Sequence, residues 1–369
     1  MATVALRHVW KLYGDVVGVK DVEFTCADGE FFALLGPSGC GKSSTLRMIA
    51  GLEQISKGEI YFDERLVNDL DPRDRNVAMV FETYALYPFL SVYDNIAFPL
   101  HVQGLSKKAI DEKVRWASGF LGIDDILRMR VGGLSSGQKQ AVGIGRAIVR
   151  SPSVLLMDEP ISHLEAQQRA KMREELVGLH AKLKTTTIYV THDQAEAIAM
   201  ADRIAVMNLG ELQQVGAPED IYGRPRTEFV AGFIGEPPMN FHDCELETED
   251  GKTYAVSAAF KIPLPSSAAS FLRGGTGPRR VRLGVRPENV EVSRSATENA
   301  TAASVRFIEP QGERTVIGAE LSDGTTFLVV VADGLEATMD ERIFLRFGEP
   351  IYIFDASSGV NLLYGEGSQ

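Results

Sequence analysis

Residues 36–43 read Gly36-Pro37-Ser38-Gly39-Cys40-Gly41-Lys42-Ser43, and this stretch decides the fold. It matches the pattern G-x-x-x-x-G-K-[ST] at every fixed position. An apolar run at residues 31–35 precedes it, and a helical pattern at residues 45–50 follows it. A strand, a glycine-rich loop and a helix in this order predict backbone N–H groups that converge on one anion at the positive end of the helix.

Two side chains at the end of this loop have distinct expected roles. Lys42 can reach the β- and γ-phosphates of a nucleotide, and the Ser43 hydroxyl can ligate Mg²⁺. The loop therefore predicts binding of ATP together with Mg²⁺. The residues expected to contact the nucleotide here are Gly36, Pro37, Ser38, Gly39, Cys40, Gly41, Lys42, Ser43 and Ser44.

Two further apolar runs end in polar residues suited to the same chemistry. Residues 153–160 are nearly all apolar up to Asp158 and Glu159, as expected for a parallel strand buried on both faces. Adjacent strand residues point in opposite directions, so we expect Asp158 to hold Mg²⁺ and Glu159 to act as general base toward water. A third run, residues 187–191, leads into His192, which is expected to reach the γ-phosphate. Open α/β sheets bind their ligands at such strand ends.

A more helical section separates the phosphate loop from residue 153. Residues 107–120 have helical spacing, and a second helix is expected to start after Leu134 and to run to Arg150. Ser135 followed three residues later by Gln138 is a capping-box pattern. The start of this second helix is another anion-binding surface, which need not face the phosphate loop of its own chain.

Composition limits the possible partners and compartments. The chain has 369 residues with 44% hydrophobic content, enough for two domains, and a formal net charge of -12. An acidic chain is a poor candidate for nucleic-acid binding. It has no run long enough to span a bilayer, no secretory signal pattern and only three cysteines. We therefore expect a cytosolic location, with any membrane contact made through partner proteins.

The pattern changes beyond residue 235. Gly235-Glu236-Pro237-Pro238 is typical of a linker, and short strand-like runs follow it. Ser322-Asp323-Gly324-Thr325 predicts a hairpin turn between two of these runs. Short strands separated by turns favour a small β-barrel. The expected strand segments are residues 280–285, 304–308, 316–321, 326–331, 343–347 and 350–354.

Taken together, these motifs resemble those of the ATPase subunit of an ABC transporter over essentially the whole chain. The resemblance implies an α/β P-loop domain at residues 1–235, with a RecA-like core and a helical subdomain at about 88–152. It implies a small all-β, OB-like accessory domain at residues 236–369. In this family two ATPase domains pair head to tail, so Ser135, Ser136, Gly137 and Gln138 would contact ATP held mainly by the partner chain. Tyr13 matches the position that stacks on adenine, although its spacing alone equally fits a packed loop tyrosine.

Other segments narrow the resemblance to carbohydrate importers. Residues 81–88 resemble the loop that touches the membrane subunits, and residues 191–197 and 284–288 resemble the maltose and glycerol-phosphate importer ATPases. The implied function is ATP hydrolysis that drives import of a small solute, a sugar or glycerol phosphate. The implied partners are two permeases, a second ATPase chain and a solute-binding protein, and the implied location is the cytoplasmic face of the inner or plasma membrane.

Three positions differ from the family pattern. Glu82 stands where glutamine is usual, Ser136 replaces a glycine, and Glu165 replaces an aspartate. A carboxylate at Glu82 about 4 Å from a phosphate would cost on the order of 4 kcal/mol at most, unless Mg²⁺ ligation or protonation offsets it. We favour a homodimer because no group needed for the chemistry is missing, and pairing with a different ATPase chain is the alternative. The other functional alternatives are a soluble ABC ATPase and an ATP-binding regulatory subunit.

Overall fold

The computed structural model describes residues 2–264, 280–332 and 337–364. The chain divides into two compact units, Met1–Pro218 and Glu219–Gln369. This division precedes the boundary that we expected at residue 235. The reason is that a short helix before the linker packs into the second unit, where Ala231 is buried against Met239 and Phe354.

The first unit contains two sheets and a set of helices. Its strands are β1 Val4–Tyr13, β2 Val16–Cys26, β3 Phe31–Leu35, β4 Lys57–Phe62, β5 Arg65–Leu66, β6 Val77–Val80, β7 Val154–Asp158, β8 Thr186–Thr191, β9 Arg203–Asn208 and β10 Glu211–Gly216. Its helices are α1 Lys42–Ala50, α2 Val92–Val102, α3 Lys107–Phe120, α4 Ser136–Ile148, α5 Ala166–Leu183 and α6 Gln194–Met200.

The larger sheet determines where the expected site residues lie. Its strand order is β10-β9-β3-β8-β7-β6, and all neighbouring pairs except β10–β9 are parallel. Strands β3, β7 and β8 are buried along their whole length, which explains their continuous apolar sequences. Their carboxyl ends therefore lie side by side, although long segments of chain separate them in sequence.

The smaller antiparallel sheet, β2-β1-β4-β5, contributes to the same core as β3 and α1. Phe24 of β2 stacks on Phe32 of β3 with ring centroids 4.8 Å apart. From the sequence, β1 and β2 were expected only in part, and β4, β5, β6, β9 and β10 were not identified. Several of these strands are short or half-exposed, so their apolar alternation is weak.

The helices between β6 and β7 form the segment expected at about residues 88–152. Helix α3 has the bounds that the sequence predicted, whereas α4 ends at Ile148 rather than at Arg150. Helices α2 and α4 pack closely at Gly145, where a Cβ atom would lie 3.3 Å from the Ile96 side chain. A glycine at this position therefore permits the close approach of the two helices.

The second unit begins with two short helices and continues as two antiparallel sheets, ordered β13-β12-β11-β14-β20 and β15-β19-β16-β17-β18. Its elements are α7 Pro218–Gly223, α8 Glu228–Phe233, β11 Asn240–Glu249, β12 Lys252–Val256, β13 Lys261–Pro263, β14 Arg280–Val285, β15 Val290–Ser293, β16 Thr301–Pro310, β17 Arg314–Leu321, β18 Thr326–Ala332, β19 Arg342–Phe347 and β20 Ile351–Asp355. The six expected strand segments correspond to β14 and β16–β20, and the expected turn joins β17 to β18. Strand β11 was missed because alternate residues along it are charged.

Arg286, in the segment 284–288, anchors the start of the second unit. Its guanidinium is buried and donates hydrogen bonds to the carbonyl oxygens of Ile234, at 2.7 Å, and Tyr222, at 2.6 Å. It also lies 3.7 Å from the centre of the Tyr222 ring. Gly235 has a φ of 119°, and a Cβ atom there would lie 2.7 Å from Nη1 of Arg286. Glycine is thus required at position 235 for two reasons. Its positive φ would strain a residue with a side chain, and a Cβ atom there would clash with Arg286.

The beginning of α5 lacks a side-chain cap. Glu165 is its N-cap residue, but its carboxylate accepts no hydrogen bond from the first turn. By contrast, Ser91, Ser106 and Ser135 each cap their helices through the hydroxyl oxygen. Glutamate is one methylene longer than aspartate, which is among the most favourable N-cap residues.

We predict that Glu165→Asp raises the free energy of unfolding by about 0.5–1 kcal/mol, because the shorter carboxylate can accept from the backbone of the first turn. Thermal unfolding of the purified chain measures the change. The matched control is Glu174→Asp, which removes the same methylene from an exposed position inside α5, where aspartate lowers helix propensity. An unchanged or lower unfolding temperature for Glu165→Asp would contradict the assignment of this cap.

Candidate functional site

The phosphate loop joins β3 to α1, and its glycines are required by its geometry. Gly39 and Gly41 have φ angles of 79° and 100°, in the left-handed region that glycine adopts without strain. A Cβ atom on Gly36 would lie 2.3 Å from the carbonyl oxygen of Met207, and one on Gly41 would lie 2.7 Å from that of Gly18. The sequence pattern thus corresponds to a tightly curled loop pressed against neighbouring backbone.

Lys42 begins α1 and turns its side chain back over this loop. Its ammonium group donates to the carbonyl oxygens of Gly36, at 2.8 Å, and Pro37, at 2.9 Å, and only 4% of the residue is exposed. The N-terminus of α1 has no side-chain cap and no acidic residue in its first turn. A buried cation and an uncapped helix N-terminus at one loop suit a polyphosphate.

Ser43 and Asp158 meet beside the loop. The Ser43 hydroxyl donates to Oδ1 of Asp158 at 2.8 Å, and Asp158 is buried at the end of β7. Burial raises the pKa of Asp158, the Ser43 hydrogen bond and the charges of Arg47 and Lys42 lower it, and the charge of Glu82 raises it. A hydroxyl oxygen and a carboxylate oxygen next to a phosphate loop are the ligand types that Mg²⁺ prefers. The residues present therefore fit this cation.

Glu159 does not lie in the strand, contrary to our expectation. It follows β7 with a φ of 44°, a conformation uncommon for a residue with a side chain, and its N–H donates to the carbonyl oxygen of Val190 at 3.0 Å. Its Oε2 lies 2.7 Å from Nδ1 of His192, which follows β8. The turn therefore brings the two expected catalytic side chains together, although thirty-two residues lie between them in the sequence.

The residue that holds the His192 segment was not identified from the sequence. Glu196 is 2% exposed, and its Oε2 accepts hydrogen bonds from Thr191, at 2.7 Å, and Tyr189, at 2.8 Å. Burial raises the pKa of this carboxyl group, and the two hydroxyl donors lower it. Asp193 caps α6 through its side chain. The spacing of Asp193 and Glu196 signals a helix start, but the contact of Glu196 with β8 is a tertiary feature.

Tyr13 ends β1 beside the first turn of α1. Its hydroxyl donates to Oε2 of Glu53 at 2.6 Å and lies 2.9 Å from the hydroxyl of Ser44. A Cβ atom on Gly18 would lie 2.6 Å from the tyrosine ring, so the ring packs directly over that glycine. Partial burial, followed by the bond to Glu53, raises the pKa of the Tyr13 phenol. Tyr13 remains 45% exposed, so its ring is fixed next to the loop and still accessible.

Residues 135–138 form the capping box that the sequence indicated. The Ser135 hydroxyl accepts from the N–H of Gln138 at 3.3 Å, and Oε1 of Gln138 accepts from the N–H of Ser135 at 2.9 Å. Ser136 is the first residue of α4 and is exposed, so its helical backbone does not need glycine. Within the described part of the chain, residues 135–138 make no hydrogen bond with the phosphate loop. Ser135 and Ser136 are exposed.

Cys40 is a buried thiol within the loop. It is 3% exposed, and its Sγ lies 3.8 Å from Nζ of Lys42. Burial raises the pKa of this thiol, whereas the Lys42 ammonium lowers it. Cys26 and Cys244 are also buried; burial raises the pKa of Cys244 to about 12, and that of Cys26 rises further still.

An apolar groove of about 720 Å³ lies between β6 and the helices α2 and α4. Its lining includes Leu52, Phe81, Tyr87, Phe98 and Val102. The loop of residues 81–88 thus forms part of its wall. Arg146 of α4 holds this loop by donating to the carbonyl oxygens of Tyr84, at 3.1 Å, and Ala85, at 2.6 Å.

Comparison with protein families assigns both units. Residues 19–162 match the model described as "ABC transporter", residues 235–290 match "MalK OB fold domain", and residues 283–350 match "TOBE domain". These matches agree with a P-loop ATPase unit followed by an antiparallel, OB-like unit.

Full-length relatives carry related names. The chain is 45% identical to the trehalose/maltose import ATP-binding protein MalK of Thermococcus litoralis, covering 97% of this chain and 99% of the relative. It is 44% identical to the xylose/arabinose import ATP-binding protein XacK of Haloferax volcanii, covering 97% and 95%. It is 43% identical to the osmoprotective compounds uptake ATP-binding protein GgtA of a Synechocystis strain, covering 96% and 98%.

Solved structures resemble more than half of the chain. One is the ATP-binding cassette MJ0796 in a dimeric, post-hydrolysis state bound to ADP and Pi, with a TM-score of 0.54, 29% identity and coverage of 58% of this chain and 98% of that one. Another is cbiO1 of Clostridium perfringens, part of the ABC transporter complex cbiONQ, with a TM-score of 0.56, 27% identity and coverage of 60% and 90%.

No helix among the described residues is long and apolar enough to cross a bilayer. The phosphate loop, the strand ends and the full-length relatives lead to one assignment. The chain belongs to the ABC transporter family, as an ATPase subunit of the solute-import type with a MalK-like OB and TOBE region.

Proposed function

We propose that the chain energises import of a sugar or a related small solute by hydrolysing ATP at the ends of β3, β7 and β8. The observation that carries this proposal is the convergence of three groups there: the Lys42 loop, the Ser43–Asp158 pair and the Glu159–His192 pair. The full-length likeness to import proteins favours this function over a soluble ABC ATPase and over a purely regulatory subunit.

In this proposal Lys42 exchanges its loop carbonyl partners for the oxygens of the β- and γ-phosphates. The ammonium is already desolvated and oriented, so little rearrangement is needed when phosphate arrives. The loop N–H groups and the α1 N-terminus bind the remaining phosphate oxygens, and Tyr13 stacks on adenine. The sequence from Gly36 to Ser44 then acts as one anion-binding unit.

Ser43 and Asp158 would hold Mg²⁺, with Glu82 as a further candidate ligand. Bound Mg²⁺ supplies charge neutralisation for the phosphate oxygens during transfer. In this structure the Ser43 hydroxyl donates a hydrogen bond to Asp158. With the cation bound, the hydroxyl would rotate so that a lone pair of its oxygen faces the cation. Asp158 keeps its buried position at the end of β7, so the two oxygens stay next to each other.

Glu159 would accept a proton from the attacking water, and His192 would orient that carboxylate. The 2.7 Å contact fixes Glu159 at the edge of the site, and Glu196 fixes the segment that carries His192. His192 and Lys42 also stabilise the charge that develops on the γ-phosphate. General-base help of this kind contributes about 10²–10⁴-fold in rate.

A second ATPase chain would complete each site. The start of α4 is an exposed, capped helix N-terminus that makes no hydrogen bond with the described phosphate loop of its own chain. The dimeric cassette structures support a pairing in which this helix faces ATP on another chain. We favour a homodimer, because Ser136 occupies a helical position without backbone strain, and a heterodimer with a different ATPase chain is the alternative.

The apolar groove would receive the membrane subunits. It is bordered by the loop of residues 81–88, and apolar side chains such as Phe98 and Val102 remain partly exposed along it. An exposed apolar side chain such as Phe98 or Val102 could pack against an apolar partner surface. In this arrangement two permeases at the cytoplasmic face of the membrane, with a solute-binding protein, complete the importer. The sugar specificity in the names of the relatives supports a carbohydrate as cargo.

We predict that Glu159→Gln lowers the turnover of MgATP by about 10²–10⁴-fold while ATP binding is retained, because only the proton acceptor is lost. Phosphate release and nucleotide binding by the purified chain measure the two effects. Glu174→Gln, an exposed change on α5, is the control and keeps full turnover. Equal turnover in Glu159→Gln and the original chain would contradict the proposed base.

We predict that Val102→Glu weakens capture of the membrane subunits encoded by neighbouring genes by at least about tenfold, because an unpaired charge would be buried in the groove. The ATPase rate of the isolated chain stays unchanged. Val177→Glu is the matched control, since Val177 is an exposed helical valine that does not line the groove. Equal capture of both variants would argue against the groove as the docking surface.

We predict that Cys40 reacts with a thiol reagent before Cys26 and Cys244, and that MgATP slows its reaction. Burial raises all three thiol pKa values, so little thiolate is present near neutral pH and labelling accelerates as pH rises. Burial raises the pKa of Cys40, and the neighbouring Lys42 ammonium lowers it by stabilising the thiolate. Mass mapping of the label gives the order, and an unchanged Cys40 rate with MgATP would contradict its place in the phosphate site.

A further inference from the structure

A second glutamate–histidine pair lies at the border of the site. Oε1 of Glu82, just beyond β6, lies 3.3 Å from Nε2 of His163, which follows β7 in the turn before α5. The two residues are far apart in the chain, and no sequence pattern connects them. The family resemblance assigns a role to position 82 and none to position 163.

The negative charge of Glu82 acts on Asp158, one of the residues expected to hold Mg²⁺. It raises the pKa of Asp158, so the two carboxylates repel each other. Glu159 is a third carboxylate at the adjoining strand ends. Oε2 of Glu159 lies 2.7 Å from Nδ1 of His192, and Oε1 of Glu82 lies 3.3 Å from Nε2 of His163. Each of the two glutamates at the border of the site therefore has its own histidine.

We propose that His163 is a positioning residue that orients the Glu82 carboxylate, limits its repulsion of Asp158 and of incoming phosphates, and so permits a glutamate at this position. The observation behind it is the 3.3 Å approach of Nε2 of His163 to Oε1 of Glu82, between two side chains that are both about half exposed. Without His163, the carboxylate is free to turn toward Asp158 and the incoming phosphates, where like charges repel. The proposal rests on the nucleotide site described under the proposed function.

A double-mutant cycle tests this coupling, with Glu82→Gln, His163→Asn and the double variant. The readout is the dissociation constant for ATP in the presence of EDTA, which excludes any contribution of Mg²⁺ or of turnover. We expect His163→Asn to weaken ATP binding by about two- to fivefold in the original chain, the range for partly exposed ion pairs. In the Glu82→Gln chain position 82 carries no charge, so we expect His163→Asn to leave the dissociation constant for ATP unchanged.

The matched control is His8→Asn. His8 forms a comparably exposed pair with Asp21 in the same unit, at 2.9 Å, and neither residue belongs to the nucleotide site. Asparagine tolerates the left-handed backbone of position 8, where φ is 49°. This variant should leave ATP binding unchanged in both backgrounds. Equal unfolding temperatures across the set show that the variants are folded, and His163→Gln replaces any His163→Asn chain that is not.

The effects on turnover give a second, independent readout. Loss of His163 should raise KM for MgATP more than it lowers kcat, because the substitution alters charge near the phosphates rather than the Glu159 base. Equal effects of His163→Asn in the original and the Glu82→Gln backgrounds, or none in either, would overturn the proposal. Failure of the original chain to bind ATP at all would instead overturn the proposed function, and the inference with it.

Discussion

Three buried strands that end side by side are the constraint on which the site depends. Strands β3, β8 and β7 are neighbours in the parallel sheet, and each is followed at its carboxyl end by residues that the chemistry requires. These apolar strands are buried along their whole length and pair with one another in parallel. The phosphate loop, Asp158 and His192 therefore meet at one edge, although the intervening segments between these strands are long.

The electrostatics of this edge follow from how its charges are paired. Lys42 is held by loop carbonyls, Asp158 by the Ser43 hydroxyl, Glu159 by His192 and Glu82 by His163. The first three contacts are hydrogen bonds, and the fourth is a close approach of a ring nitrogen to a carboxylate oxygen. Such pairing limits the reorganisation needed when phosphate and cation enter, which is the physical basis of preorganised catalysis.

The sequence predicted some parts of this arrangement and missed others. The loop pattern identified its own residues, the capping box at Ser135 and Gln138 was recognised, and α3 and β14 have the predicted bounds. Strands β4, β5 and β6 were missed because their apolar pattern is short or weak. Glu159 was expected within β7 but lies in a turn with positive φ. The roles of Glu196 and His163 were not foreseen, because their partners are set by the packing of separate elements.

The sequence by itself determined which groups are present and where strands, loop and helix meet, because apolar runs, glycines and capping residues act over a few neighbouring positions. Only the tertiary structure decided which of these groups touch one another. The Tyr13–Ser44, Glu159–His192 and Glu82–His163 contacts join residues distant in the chain, and their formation depends on strand order and on turns. Local periodicity does not encode strand order, which follows from burying all the apolar faces of the unit at once.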